Sequence, residues 1–280
     1  MWGGGDFSGG MAVKRAGGSL DTALRVVLLS HATSFVVLLA LAHLRGDATP
    51  HGALLAWGIA AGVAGGGALT AFYIALSRGA MGASAAVSGL LAAAIPALLT
   101  LWQQGPPGIG PLLGFAVAAI AIWLIAASPA DETTGGGTRQ TMALAMLAGV
   151  GFGFYFVALK MASPAGVLWP MTSARIGSLS ICSLMLLITR LRSAKADALR
   201  FRLTRTSVAW ALATALLDTS GNLLFVAASR AGRLDVASVL ASLYPATTIL
   251  LAALALGEWP TRRQVFGMAA AAVAVALIAL

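Results

Sequence analysis

Asp218 and Asn222 stand one helical turn apart in the middle of an apolar run, with Thr214 and Trp210 continuing the same face toward the start of that run. A carboxylate at bilayer depth is costly and marks a functional position by default. Beside a carboxamide and a hydroxyl, it could hold a cationic or hydrogen-bonding solute, or carry a proton. The competing reading is a structural hydrogen-bonded pair. His31 lies inside another apolar run. It could pair with Asp218 or Asp6 and titrate near neutral pH, or stay neutral on a backbone carbonyl. Asp6 reads as structural or capping. Tyr73, Tyr155 and Tyr244 are amphipathic enough to line a pathway or to pack at an interface. The substrate-binding candidates are therefore Asp218, Asn222, Thr214, Trp210, His31, Tyr73, Tyr155 and Tyr244.

The elements that carry these groups follow from composition. Hydrophobic residues make up 59% of the 280 residues and charged residues 10%, against about 25% charged in soluble domains. So few charges cannot cover a water-soluble surface, and the chain reads as a polytopic membrane protein. Ten apolar runs fall near 1–14, 22–43, 53–76, 82–102, 109–127, 140–161, 168–189, 207–228, 234–256 and 264–280. The long polar connectors are Ser128–Thr138, with Asp131, Glu132 and a glycine run, and Arg190–Thr206. Pro96 and Pro245 are expected to interrupt the fourth helix of each half. Arg25, Arg78, Arg175, Arg230 and Lys160 read as snorkelling from helix ends to the headgroups. Glu258 is expected to cap the last helix or to pair with Arg262.

The formal net charge of +9 reflects basic residues at helix ends and is no signal for nucleic acid. The single cysteine, Cys182, excludes a disulfide within the chain. His31, His43 and His51 lack metal-ligand spacing, and neither a His-Glu-x-x-His motif, a Gly-x-Ser-x-Gly elbow nor a P-loop occurs. No cleavable signal peptide is visible. These features disfavour an enzyme, a cofactor and an ATP-driven pump.

The chain repeats itself. Ala75–Arg78 and Ala227–Arg230 share the pattern Ala-x-Ser-Arg. Lys14 aligns with Lys160, Arg25 with Arg175, Ser77 with Ser229, and Gln104 and Pro106 with Glu258 and Pro260. The spacing widens slowly along the chain, as when only loops change length. Each half then holds five helices, an odd number, so the second half enters the membrane inverted. The expected fold is an all-α membrane protein with ten transmembrane helices in two inverted five-helix repeats. The repeats cover 1–127 and 139–280, joined by a connector at 128–138. The counterpart of the Asp218 face is Gly58, Gly62, Gly66 and Thr70, either a roomy wall facing helix eight across a cavity or a close-packing seam. Met1 falls opposite Leu147, so helix one is expected to lack its first two turns. Thirteen of the 18 Lys and Arg fall on the side of the odd-numbered loops, which places both termini outside.

Several segments resemble the ten-helix EamA-type branch of the drug/metabolite transporter superfamily. They are the opening Trp2-Gly3, Asp6-Phe7 and Lys14-Arg15, the arginines Arg25 and Arg175 at each second helix, and the run Val239–Pro245 followed by Gly257-Glu258, Gln264 and Gly267. The first half departs from the pattern, with Gln103-Gln104 where Gly-Glu is usual. The resemblance implies a secondary transporter in the cell membrane of a prokaryote, or a plasma membrane. It would export or exchange a small metabolite, amino acid or drug-like solute, with the lipid bilayer around it and a proton as candidate coupling ion. The usual expectation for the superfamily is cytoplasmic termini, opposite to the charge count. The competing class is a non-transporting membrane scaffold or lipid-handling partner subunit. Substrate, coupling ion and oligomeric state are not legible.

Overall fold

A computed structural model describes residues 1–78, 81–126, 137–192, 204–257 and 259–279. Every regular element among them is helical: α1 (Trp2–Arg15), α2 (Leu20–Leu44), α3 (Ala53–Arg78), α4 (Met81–Gln104), α5 (Ile109–Ala126), α6 (Gly137–Ala162), α7 (Leu168–Arg192), α8 (Arg205–Ala231), α9 (Leu234–Ala241), α10 (Pro245–Leu256) and α11 (Arg262–Ala279). Helix is what an apolar sequence must adopt in lipid, where backbone groups find no water and must bond within their own segment. Seven segments among the described residues are long and apolar enough to cross a bilayer: α2, α3, α4, α6, α7, α8 and the pair α9–α10. Glu258 and most of both long connectors lie outside the described residues, so the expected Glu258 cap and Glu258–Arg262 pair do too.

Local chemistry sets several boundaries. Ser19 and Thr204 cap α2 and α8 by accepting from the amides of Thr22 and Ser207 at 3.2 and 3.1 Å. Pro245 cannot donate to the carbonyl of Ala241, which instead accepts from the amide of Tyr244 at 3.3 Å. The ninth apolar run therefore breaks at Ser242–Tyr244 and resumes with proline at the first helical position. The expected interruption at Pro96 is not found: α4 runs unbroken through it. The break at 242–245 is wedged between glycines, with Ser242 O and the Pro245 ring against Gly89 of α4 and Tyr244 O against Gly3 of α1.

The helix contacts come in matched pairs. α1 packs on α8 as α3 packs on α6; α2 packs on α8 as α3 packs on α7; α1 meets α10 as α4 meets α6. α2 lies on α7, α4 on α9, and α5 on α11. α1 is 14 residues long, about 21 Å of rise, and is buried along most of its length.

Four connections are tied to one another through backbone carbonyls. Trp169 donates its indole N–H to Asp47 O at 3.0 Å, and Arg233 reaches Gly105 O at 2.8 Å. Arg230 donates to Ser163 O at 2.8 Å, and Lys160 Nζ donates to Ser229 O. The ends of α6 and α8 thus clasp each other reciprocally. For Lys160 and Arg230 this replaces the snorkelling expected from sequence.

Candidate functional site

Arg175 lies two turns inside α7, only 3% exposed. Its neighbours along the helix, Met171, Ala174 and Ser178, are buried as well. The guanidinium does not reach the headgroups. It turns sideways and donates from Nη2 to Asp218 Oδ2 of α8 at 2.7 Å and to Thr219 Oγ1 at 3.3 Å. The snorkelling reading of Arg175 is therefore corrected. The Asp218 carboxylate carries a compensating charge, without which ionisation at this depth would be prohibitive.

The i, i+4 geometry read from the sequence holds. Asn222 Nδ2 donates to Asp218 Oδ1 at 2.9 Å and to Asp218 O at 2.8 Å. Its Oδ1 accepts from the Tyr155 hydroxyl of α6 at 2.7 Å. Arg175, Asp218, Asn222 and Tyr155 form one continuous polar chain across three helices, with every link charge-assisted or charge-adjacent.

The chain borders a cavity of about 50 Å³, room for a few water molecules. Asp6, His31, Tyr155, Arg175, Asp218 and Asn222 supply its polar wall. Trp2, Phe152, Phe156 and Tyr244 supply the aromatic one. Trp2 stacks on Phe156 with ring centroids 5.4 Å apart.

His31 does not pair with Asp218 or Asp6. Its Nδ1 lies 2.7 Å from Ser178 Oγ, whose hydroxyl is 3.1 Å from Arg175 O. If that serine donates to the carbonyl, the imidazole proton sits on Nδ1. Nε2 is then an acceptor, buried and without a partner. Tyr244 lines the cavity and shares a 2.5 Å hydrogen bond with Ser88 Oγ. Tyr73 does not line it: the ring lies against Gly9 of α1, fully buried. Thr214 and Trp210 are also absent from the wall, because α1 covers that stretch of α8. Thr214 is 3.3 Å from Gly5 O, and Trp210 meets Phe7 edge-on at 5.9 Å.

The glycine face of α3 is a packing seam against α7, and part of it lines the cavity that Asp218 and Asn222 of α8 also line. A Cβ on Gly58 would come within 2.8 Å of Ser173 Cβ, on Gly62 within 2.8 Å of the Ser178 amide, and on Gly66 within 2.9 Å of Ser178 Cβ. Gly177 of α7 answers from the other side, against the backbone of Ile59 and Val63. Gly62, Gly65 and Gly66 also edge the cavity, so the close approach brings α3 to its margin.

Sequence reasoning missed Arg175, Asp6, Trp2 and Ser178 as wall residues. The available signal was charge complementarity: one arginine and one aspartate, each well inside an apolar run, one span apart.

Comparison with known proteins bears on this arrangement. The family described as the EamA-like transporter family matches residues 139–280. No curated protein sequence matches. Thirteen chains of solved structures do. One of these, described only as a crystal structure of a protein, superposes with a TM-score of 0.68 at 14% identity, covering 99% of this chain and 93% of its own. At that identity the likeness speaks for the fold alone.

Proposed function

The chain belongs to the EamA-like transporter family, part of the drug/metabolite transporter superfamily, and on that footing we propose that it is a secondary transporter. It moves a small metabolite, amino acid or drug-like solute across the cell membrane by alternating access, in the direction of export. The observation that carries this reading is the polar chain Arg175–Asp218–Asn222–Tyr155 on a cavity inside an apolar bundle. A bundle needing only to be stable gains little from a buried ion pair, since packed apolar side chains of similar volume serve as well or better. A transporter needs groups that exchange their mutual contacts for contacts with a solute.

The architecture we propose is ten spans in two five-helix units, 1–127 and 139–280, joined at 128–138, with α9 and α10 forming one broken span. The matched helix contacts support a two-fold relation between the units. The odd number of spans per unit makes that relation an inversion, the arrangement in which substrate sites lie near the midplane between repeats. Broken helices at such sites supply hinges, and the α9–α10 break brings Tyr244 to the cavity wall.

The test is an uptake-and-efflux screen in proteoliposomes over amino acids and cationic dyes. Substrate-dependent flux that Asp218→Asn abolishes, while the variant still folds and inserts, is the expected result. Absence of flux for every solute, or full activity in Asp218→Asn, would overturn the reading in favour of a scaffold or lipid-handling subunit.

A further inference from the structure

Two carboxylates face the central cavity, and they are not equivalent. Asp218 is saturated by the Arg175 guanidinium and the Asn222 amide. Asp6 of α1 is 8% exposed, and its carboxyl borders the cavity. Among the described residues it has neither a hydrogen-bond partner nor an ion-pair partner. The ordinary explanation for an acid near a helix start does not apply. It caps no amide, and it lies beyond the N-cap position, which Met1 holds without a side-chain bond. A buried carboxylate without a counter-charge is relieved by binding a cation, and the smallest cation available to every membrane is the proton.

We propose that Asp6 is a proton-carrying residue of the transport cycle. Resting on the transporter reading above, this assigns coupling to α1 and leaves Asp218 as the fixed counter-ion of Arg175. The step is one O–H bond formed on the Asp6 carboxyl when the cavity meets one side of the membrane, and the same bond broken when it meets the other. The groups facing Asp6 set the balance. Asp218 on α8 places a second acidic group on the same cavity. A solute that engages Asp218 or Arg175 alters the field at Asp6 and with it the hold on the proton. His31 on α2, Tyr73 on α3, Tyr155 on α6 and Tyr244 before α10 complete the ionisable surroundings. The N-terminal ammonium of Met1 lies on the same helix. No group of three acidic, histidine or cysteine side chains that could hold a metal ion forms among the described residues, which favours the proton over a metal cation.

The experiment reads protons directly. The detergent-solubilised full chain is titrated with base in the presence of a pH-sensitive dye, for wild type, Asp6→Asn and Asp218→Asn. The expected result is one proton fewer released per chain in Asp6→Asn than in wild type. Proton release from Asp6→Asn equal to wild type overturns the proposal, as does loss of the titrating proton in Asp218→Asn with retention in Asp6→Asn. Proteoliposomes then separate the two readings. Wild type accumulates an identified solute against a pH gradient and Asp6→Asn does not; accumulation by Asp6→Asn equal to wild type overturns the proposal. A chain that transports nothing yet releases the Asp6 proton would refute the transporter reading and not the assignment of the titrating group.

Discussion

Arg175 and Asp218 are worth more as partners than either is alone. Removing one member strands the other inside the bundle, at a cost of about 3–5 kcal/mol in comparable buried pairs. Arg175→Met and Asp218→Leu should each lower the thermal unfolding midpoint of the detergent-solubilised protein. The double variant should recover most of that loss and still fail to transport. Equal instability in the single and double variants would show that the pair contributes no mutual stabilisation. Asp218 and Asn222 were legible in the sequence because a carboxylate in an apolar run has no cheap explanation. Arg175 was not. An arginine stem is long enough to reach the headgroups from inside a helix, and a sequence carries no direction for a side chain. Asp6 was legible as a residue and not as part of the wall, because the run around it is short.

The seam between α3 and α7 sets the tolerance of each helix to added atoms. Gly62 is filled by the Ala174 carbonyl and the Ser178 amide, whereas nothing lies within 4 Å of a Cβ on Gly67. Gly62→Ala is expected to destabilise by about 1–3 kcal/mol as the helices are forced apart. Gly67→Ala is expected to be neutral, or to stabilise by up to about 1 kcal/mol through helix propensity. Thermal unfolding of the two variants side by side checks the contrast, and equal effects would remove the seam as an explanation. The glycine period along α3 was visible in the sequence, and close packing was one of its two readings. The identity of the facing helix was not visible, because small-residue spacing names a surface and not its partner. The two prolines teach the same lesson. Pro96 and Pro245 look alike in sequence, yet one sits inside a continuous helix and the other opens a new one.

Loop charge predicts an orientation for the whole molecule. By sequence the even-numbered loops carry five basic residues, Arg175 among them, yet Arg175 is buried in the bundle. That side is left with Arg45, Lys160, Arg230 and Arg233. The positive-inside rule then puts the connection between α2 and α3 outside the cell. A cysteine at the exposed His51 should react with a membrane-impermeant thiol reagent in intact cells. Labelling only after the cells are opened would reverse the assignment. The all-helical, membrane-spanning class could be read at this scale because it depends on the length of the apolar runs, a property of the chain. The cavity could not, since its volume depends on which aromatic rings turn inward.

The ties among the connections have a consequence for how this protein can change over generations. Each is made by a side chain of one segment to a main-chain oxygen of another: Trp169 to residue 47, Arg230 to residue 163, Arg233 to residue 105, Lys160 to residue 229. A carbonyl is supplied by every amino acid, so replacing the side chains of Asp47, Ser163 or Ser229 leaves the bond available wherever the backbone path is kept. The mutational burden falls on the donors alone. Four donor positions thus hold this end of the molecule together while the facing loops remain free to drift in sequence.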